Sequence, residues 1–188
     1  MANTSDKNVG TLKTYVNDMI SLQKHILEAV SHQCEDQNVK NDAEASAFVN
    51  KLKGTLTSQV SDYEGHINRL GSEVTATLKQ AVTSAAGFVA GLYDKVRKDP
   101  VSRMLRDDYT ALCMSSISLT QLHTTGLAYG DQAVADTALK HLNEVAPLIM
   151  EINGIMPGVV VKELTDEGPG IDTSVAGTAV ANTQAAWK

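Results

Sequence analysis

Apolar residues recur at steps of three or four through four long stretches of the chain, which predicts four amphipathic helices. The first stretch runs from about Val9 to His32 and carries Gln23 within its apolar stripe. The four predicted stripes are Leu12, Val16, Met19, Gln23, Ile26 and Val30; Phe48, Leu52, Leu56, Val60, Tyr63, Ile67 and Leu70; Val101, Leu105, Leu112, Leu119 and Gly126; and Val134, Ala138, Leu142, Val145, Ile149 and Ile152.

Local signals mark where these helices begin and end. Asn41 or Asp42 can cap the second helix by accepting a backbone N–H, and Asp131 can cap the fourth. Gly71 stands where a left-handed residue would end the second helix. Pro147 and Pro157 both lie in the last helical stretch, so we expect a kink or a break there.

The segment from Ser72 to Lys98 is rich in Ala, Val and Thr, with Gly87 and Gly91, and predicts a connecting helix or helix pair. A connection of this length suits a bundle whose second and third helices run parallel. Aromatic residues make up 4% of the chain, and no short alternating runs predict strands. The predicted fold is therefore all-α: an up-down four-helix bundle with a long crossover containing one or two extra helices.

Composition and length narrow the organisation and the environment of the chain. At 188 residues it supports one domain, which we predict at residues 9–164, after a flexible N-terminus at residues 1–8. The net charge of −6 and the lack of a basic cluster disfavour nucleic-acid binding. We see no apolar run near the roughly 20 residues of a membrane span and no secretion signal, so a cytoplasmic location without membrane association is expected.

The two cysteines and the tail leave alternatives open. Cys113 is interpreted as a small buried hydrophobe, and Cys34 as either a structural residue or an exposed thiol. The tail, residues 165–188, changes to a low-complexity Ala/Thr/Val/Gly composition. It is either a frayed terminus or a docking segment for a protein partner, with Trp187 as the anchor.

A long helical bundle with a crossover raises the question of a di-metal carboxylate site. Such a site takes a Glu from each of two helices and a Glu-x-x-His pair from each of the other two. No Glu-x-x-His occurs in the chain, and no Asp or Glu lies between Tyr109 and Gly130. The polar residue within the first helical stripe is Gln23, an amide where a metal site would need a carboxylate. The sequence therefore predicts no four-carboxylate metal site, no cofactor and no catalytic residues.

Four polar residues remain as candidates on the predicted core faces. Gln23, Tyr63 and His66 could form a buried hydrogen-bonded cluster, because buried polar groups satisfy one another. The alternative is a small-ligand pocket or a reduced metal site for iron or manganese around the same three residues. His123 is expected to point inward from the third helix. His141 and Glu144 are interpreted as a surface pair at i, i+3 spacing.

Short motifs resemble a known family. The segment His66-Ile67-Asn68-Arg69-Leu70-Gly71, which ends the second helix, resembles a segment of bacterial ferritin-like stress proteins of the YciE/YciF type. The runs Lys98-Asp99-Pro100 before the third helix and Tyr129-Gly130-Asp131 before the fourth follow the same layout. The similarity covers about residues 9–164.

The resemblance implies a ferritin-like fold, a homodimer built on bundle faces and an association with stress response. Family members often carry di-metal ligands, but here the matching positions hold Tyr63 and Gln23, and His66 alone agrees. The predicted function is a metal-free ferritin-like bundle that acts as a stress-associated binding or structural protein. The alternative is a metal-binding oxidoreductase or metal carrier.

Overall fold

The computed structural model describes residues 4–71 and 100–187, and over these residues the chain is all-α. Six helices occur in this described part, and we number them along the chain. They are α1 (Thr4–Gln33), α2 (Gln37–Lys40), α3 (Ala43–Arg69), α4 (Val101–Ala128), α5 (Gln132–Glu167) and α6 (Val175–Ala185). The predicted crossover helix at residues 72–98 lies outside the described residues. α1 begins at Thr4, within the residues 1–8 that were predicted to be a flexible N-terminus.

The capping signals of the sequence are confirmed. Asp42 has extended backbone and accepts from the Ala45 N–H at the start of α3, and Asp131 accepts from the Val134 N–H at the start of α5. Gly71 and Gly130 have φ values of 76° and 74° after α3 and α4. A residue with a Cβ is strained there, so glycine lets each helix stop in a tight turn.

The four long helices form a bundle in which each helix lies beside two others. α1 packs against α3 and α4, and α5 packs against the same two helices. All four neighbouring pairs are antiparallel: Arg69 reaches Asp131 at one end of α3 and α5, and Lys162 reaches Asp42 at the other. α3 and α4 are therefore parallel and diagonally opposite. As the sequence predicted, the chain must travel the length of the bundle between them.

The interior is built mainly from the predicted stripes, and 27 apolar residues of the described part form one buried cluster. Its members come from all four long helices, so the bundle has one continuous core. Gly126 brings α4 close to α5, because a Cβ at this position would lie 2.8 Å from the Ala135 backbone nitrogen. This glycine is required by packing, whereas its neighbours in the stripe supply apolar volume.

Of the kink or break expected at the prolines, the break does not occur. α5 runs without interruption from Gln132 to Glu167, with both Pro147 and Pro157 inside it. Proline removes the hydrogen bond to the carbonyl four residues earlier. Pro147 and the residue four positions before it, Asn143, are both exposed. Water can therefore bond to the released carbonyl, and the helix continues.

The tail is ordered against the bundle. After Glu167 the chain turns through Gly168-Pro169-Gly170, and α6 then packs back along α5. A frayed terminus is therefore wrong for this segment, which forms a helix docked on its own chain.

Candidate functional site

A layer of polar side chains crosses the middle of the apolar core, and we call it the polar layer. Its members are Gln23 on α1, Gln59 and Tyr63 on α3, and His141 on α5, and each of the four is 0% exposed. The antiparallel register adds the buried Ser115 of α4, which lies within about one helical turn of the level of Gln23. Each long helix thus contributes a polar group to the same level of the bundle.

The amides of the polar layer form a chain of hydrogen bonds from the core to its edge. Gln23 Nε2 donates to Gln59 Oε1 at 2.7 Å. Gln59 Nε2 donates in turn to Glu144 Oε2 at 2.9 Å. The carboxylate of Glu144 is half-buried at the α3–α5 contact. Gln59 therefore links the buried amide of α1 to the carboxylate of Glu144.

His141 connects the layer to a second carboxylate. Its Nε2 lies 3.0 Å from Asp62 Oδ2, which also accepts from Lys140 Nζ at 2.9 Å. The hydrogen bonds from Lys140 and His141 lower the pKa of Asp62, so the carboxylate is ionised and can only accept. The His141 ring is therefore protonated on Nε2, and burial lowers its pKa and keeps it neutral.

Four atoms of the layer are buried without a hydrogen-bond partner: Gln23 Oε1, Tyr63 Oη, Ser115 Oγ and His141 Nδ1. The Tyr63 ring packs edge-on against His141, with ring centroids 4.8 Å apart. Burial, together with the nearby carboxylates of Asp62 and Glu144, raises the pKa of Tyr63, so the phenol keeps its proton. The layer offers lone pairs and a hydroxyl donor that its own members do not use.

Gln23 and Tyr63, two of the four predicted site residues, lie in the polar layer. His66 adjoins the layer, with its ring centroid 6.4 Å from that of Tyr63. It is half-buried, and its Nε2 lies 2.8 Å from Thr137 Oγ1 at the α3–α5 contact. Burial and the neighbouring Arg69 lower the pKa of His66. His123 lies elsewhere, with Nδ1 2.8 Å from the Ala135 carbonyl oxygen. His66 therefore borders the layer through its ring and hydrogen-bonds outside it, whereas His123 lies apart.

Sequence reasoning missed Gln59 and His141 as members of the layer. The interpretation of His141 and Glu144 as a surface pair is wrong, because His141 is fully buried. Both residues carried a usable signal: Gln59 lies four positions before Tyr63, and His141 lies three positions after Ala138 in the stripe of α5. A search of each helical stripe for polar as well as apolar residues would have found both of them.

A second buried polar pair was also missed. Asp108, near the start of α4, is 0% exposed, and its Oδ1 accepts from Gln33 Nε2 at 2.9 Å. This bond joins the end of α1 to the start of α4. It lies at one end of the bundle, away from the polar layer.

The residues of the layer do not fit the di-metal centre of the resembled family. Its buried members supply one imidazole, two amides, a phenol and a hydroxyl, whereas iron or manganese centres of this type need several carboxylates. The two adjacent carboxylates already bind other groups: Asp62 accepts from Lys140, and Glu144 accepts from Gln59. Among the described residues, no group of three or more His, Cys, Asp or Glu side chains could hold a metal ion.

The outside of α5 carries a second unusual feature, which we call the outer stripe. It faces away from the core and consists of Pro147, Met150, Gly154, Pro157, Val161 and Leu164. The most apolar 18-residue window of α5 has a mean hydropathy of 1.4, and 22% of it is buried. By length and composition α5 could cross a membrane, so the expectation that no apolar run approaches such a length is corrected.

α6 lies beside the outer stripe and covers part of it. The Gln184 side chain lies near Gly154, where a Cβ would be 3.7 Å from its Nε2. At the end of the chain, the Trp187 ring meets Tyr109 of α4 edge-on, with centroids 6.2 Å apart. Trp187 is nevertheless 55% exposed. The predicted anchor therefore contacts its own bundle with one edge and leaves the other open.

No family model, curated protein or solved structure matches this chain.

Proposed function

We propose that the protein is a ferritin-like bundle that works in the cytoplasm as a binding or structural protein, without a di-metal centre. The polar layer carries this proposal. It occupies the level of the bundle where four helices face one another, and it fills that level with amides, a phenol and an imidazole. A metal centre there would have to be built from carboxylates that these helices do not supply.

The chemistry of the layer supports a structural role. Neutral amides that bond one another fix the relative position of helices, because a shift would leave buried donors without acceptors. The Gln23–Gln59–Glu144 chain ties α1, α3 and α5 together in this way. No group in the layer combines a nucleophile with an adjacent base, since the Tyr63 hydroxyl has no partner. The proposed association with stress response rests on the resemblance of the sequence motifs.

The test is elemental analysis of the purified protein, followed by thermal melts with and without a chelator. We expect less than stoichiometric iron or manganese and a melting temperature that the chelator does not change. The control is the same pair of melts for His141→Gln, which removes the one imidazole of the layer. Two metal ions per chain, lost in the variant together with a chelator-sensitive melt, would overturn the proposal and support the metal-carrier alternative.

A further inference from the structure

The middle of the outer stripe is covered, whereas its ends are open. From Glu151 to Val161, about three helical turns, no residue of α5 is exposed. On either side of this stretch the stripe is accessible, since Met150 is 41% and Leu164 43% exposed. A helix at the surface of a bundle normally shows an exposed position in nearly every turn. The covered stretch is the part of α5 along which α6 packs.

α6 covers this stretch with one small face. Its half-buried residues are Ala176, Ala179 and Val180, which stand at i, i+3 and i+4 and share one side of the helix. The other positions of α6 are exposed, and they include the polar residues Thr178, Asn182, Thr183 and Gln184. Small side chains let the two helices approach closely, but they supply little apolar volume to the contact.

Little else holds α6 on the bundle. None of its residues is buried, and it adds no member to the apolar core cluster of the described chain. Residues 175–187 carry no charge, and in the described chain their side chains make no hydrogen bond with the preceding helices; the Thr183 hydroxyl bonds only within α6. At its end, one edge of the Trp187 ring meets Tyr109. The docking of α6 therefore depends on a small contact surface.

The connection between α5 and α6 has the properties of a hinge. Gly168 has extended backbone, and Gly170 has a φ of 93°, a conformation that favours glycine. Pro169 and Gly170 are exposed, and among the described residues no turn or loop hydrogen bond involves positions 168–171. Rotation at a few backbone angles of such a segment is enough to move a helix as a rigid body.

The bundle does not need α6 to keep α5 in place. The buried apolar residues of α5 belong to the core that the four long helices share. At the two ends of the covered stretch, Glu151 pairs with Lys51 at 2.6 Å and Lys162 pairs with Asp42 at 3.1 Å. Both pairs join α5 to α3, and α6 takes part in neither. Separation of α6 thus leaves the contacts of the bundle intact.

We infer that α6 is a strap that opens from α5 as one unit while the bundle stays folded, and that the closed strap shields the apolar outer side of α5. Opening uncovers Gly154, Pro157 and Val161, which then join Met150 and Leu164 in one continuous apolar face. Elements with few buried contacts are the ones that open below the free energy of global unfolding. The strap is a different part of the molecule from the polar layer, so the inference goes beyond the proposed function.

The test is a urea titration of the full chain with two probes. Trp187 is the only tryptophan, so its fluorescence reports on the strap, whereas far-UV circular dichroism reports on all the helices. We expect the fluorescence transition to have the lower midpoint, and a slope less than about a third of the dichroism slope, because strap opening exposes less surface. Between the two midpoints the apolar dye ANS should bind, since the strap is open and the bundle is folded.

Two variants with the same charge change separate the docked face of α6 from its exposed side. Ala179→Glu places a carboxylate on the half-buried face, so the equilibrium constant for opening should rise about tenfold and the fluorescence midpoint should fall. The matched control is Thr178→Glu, at the exposed neighbouring position, which should leave the fluorescence midpoint near that of the wild type. Neither variant should move the dichroism midpoint.

Coincident fluorescence and dichroism transitions in the wild type would overturn the inference, because α6 would then unfold together with the bundle. An Ala179→Glu chain whose dichroism midpoint falls as far as its fluorescence midpoint would overturn it for the same reason. Equal effects of the two Glu variants would show that α6 has no docked face, and a lack of ANS binding between the midpoints would show that the strap shields no apolar surface. None of these outcomes depends on metal content, which tests the proposed function.

Discussion

The polar layer and the outer stripe both depart from the usual distribution of residues: the layer places polar side chains in the core, and the stripe places apolar side chains on the outside. The layer places amides, a phenol and an imidazole at 0% exposure, where a bundle of this size needs only apolar volume. The stripe places Pro, Met, Val and Leu on the outside, where solvent favours charged residues. Neither arrangement is required for four helices to pack.

The two regions differ in how far the rest of the chain satisfies their polar groups or covers their apolar surface. The polar layer is satisfied in part within the chain, because Gln59 and Asp62 bring Gln23 and His141 into hydrogen bonds. The outer stripe is completed only in part, since α6 covers its middle and leaves its ends open. Changes in the layer should therefore alter the stability of the whole bundle, whereas changes on the stripe should alter the packing of α6 on α5.

The largest effect on stability is expected from Gln59→Leu. This change leaves the Gln23 amide buried without its acceptor and removes a donor from Glu144, so we predict a loss of about 2–4 kcal/mol in the free energy of unfolding. Urea denaturation followed by circular dichroism measures it. Gln23→Leu combined with Gln59→Leu is the control, and it should recover part of the loss because both partners become apolar. Strict additivity of the two single changes would contradict a direct bond between the amides.

The next effect is the dependence of stability on pH through His141. Its pKa is lowered in the folded state from an unfolded value of about 6.5. Between these two values the unfolded chain binds more protons, so stability falls as the pH drops below about 6.5, by at most about 1.4 kcal/mol per pH unit. His66 has the same direction of shift and adds to the slope.

Unfolding free energies measured from pH 7.5 to pH 5 separate the two histidines. The His141→Gln variant should retain only the part of the slope that His66 contributes. A slope that His141→Gln leaves unchanged would show that the buried imidazole does not titrate with folding.

Tyr63→Phe should stabilise the chain by about 1 kcal/mol. The Tyr63 hydroxyl is buried without a partner, and its removal ends the cost of desolvating it. Tyr129→Phe is the matched control: Tyr129 is 39% exposed, so the loss of its hydroxyl should change stability by less than about 0.5 kcal/mol. Thermal melts should therefore show a higher melting temperature for Tyr63→Phe and little change for Tyr129→Phe. A destabilised Tyr63→Phe would indicate that water or a ligand bonds to this hydroxyl.

The sequence was sufficient to predict the bundle because its helix ends are set locally. Asp42 and Asp131 cap the helices that they precede, and Gly71 ends α3 in the left-handed conformation. The parallel relation of α3 and α4 followed from the length of the connection between them. These features depend on residues within a few positions of one another, so they can be found without knowledge of the packing.

The site could not be predicted to the same extent, because polar pairing between helices depends on register. Gln23 and Gln59 are 36 residues apart, and no local pattern shows that their amides meet. His141 was interpreted with Glu144, its neighbour along the chain, although its partner Asp62 lies on α3.

The outer stripe was missed for a related reason. The C-terminal half of α5 is apolar on more than one face, so periodicity alone does not show which stripe meets the core. Val145 and Ile152 satisfy the inward pattern, and Met150 with Val161 satisfy an outward one on the same helix. Only the packing of α3 and α4 against α5 shows which of these residues face the core.

The smallest effect on stability is expected from Trp187→Ala, which tests how firmly the end of the chain is held on the bundle. Trp187 is 55% exposed and contacts the bundle through one edge-on ring, so the variant should lose only about 0.5 kcal/mol of unfolding free energy. Thermal melts of the variant and the wild type measure this loss. A variant that lowers the melting temperature strongly would show that the contact between Trp187 and Tyr109 stabilises the chain more than one ring edge explains.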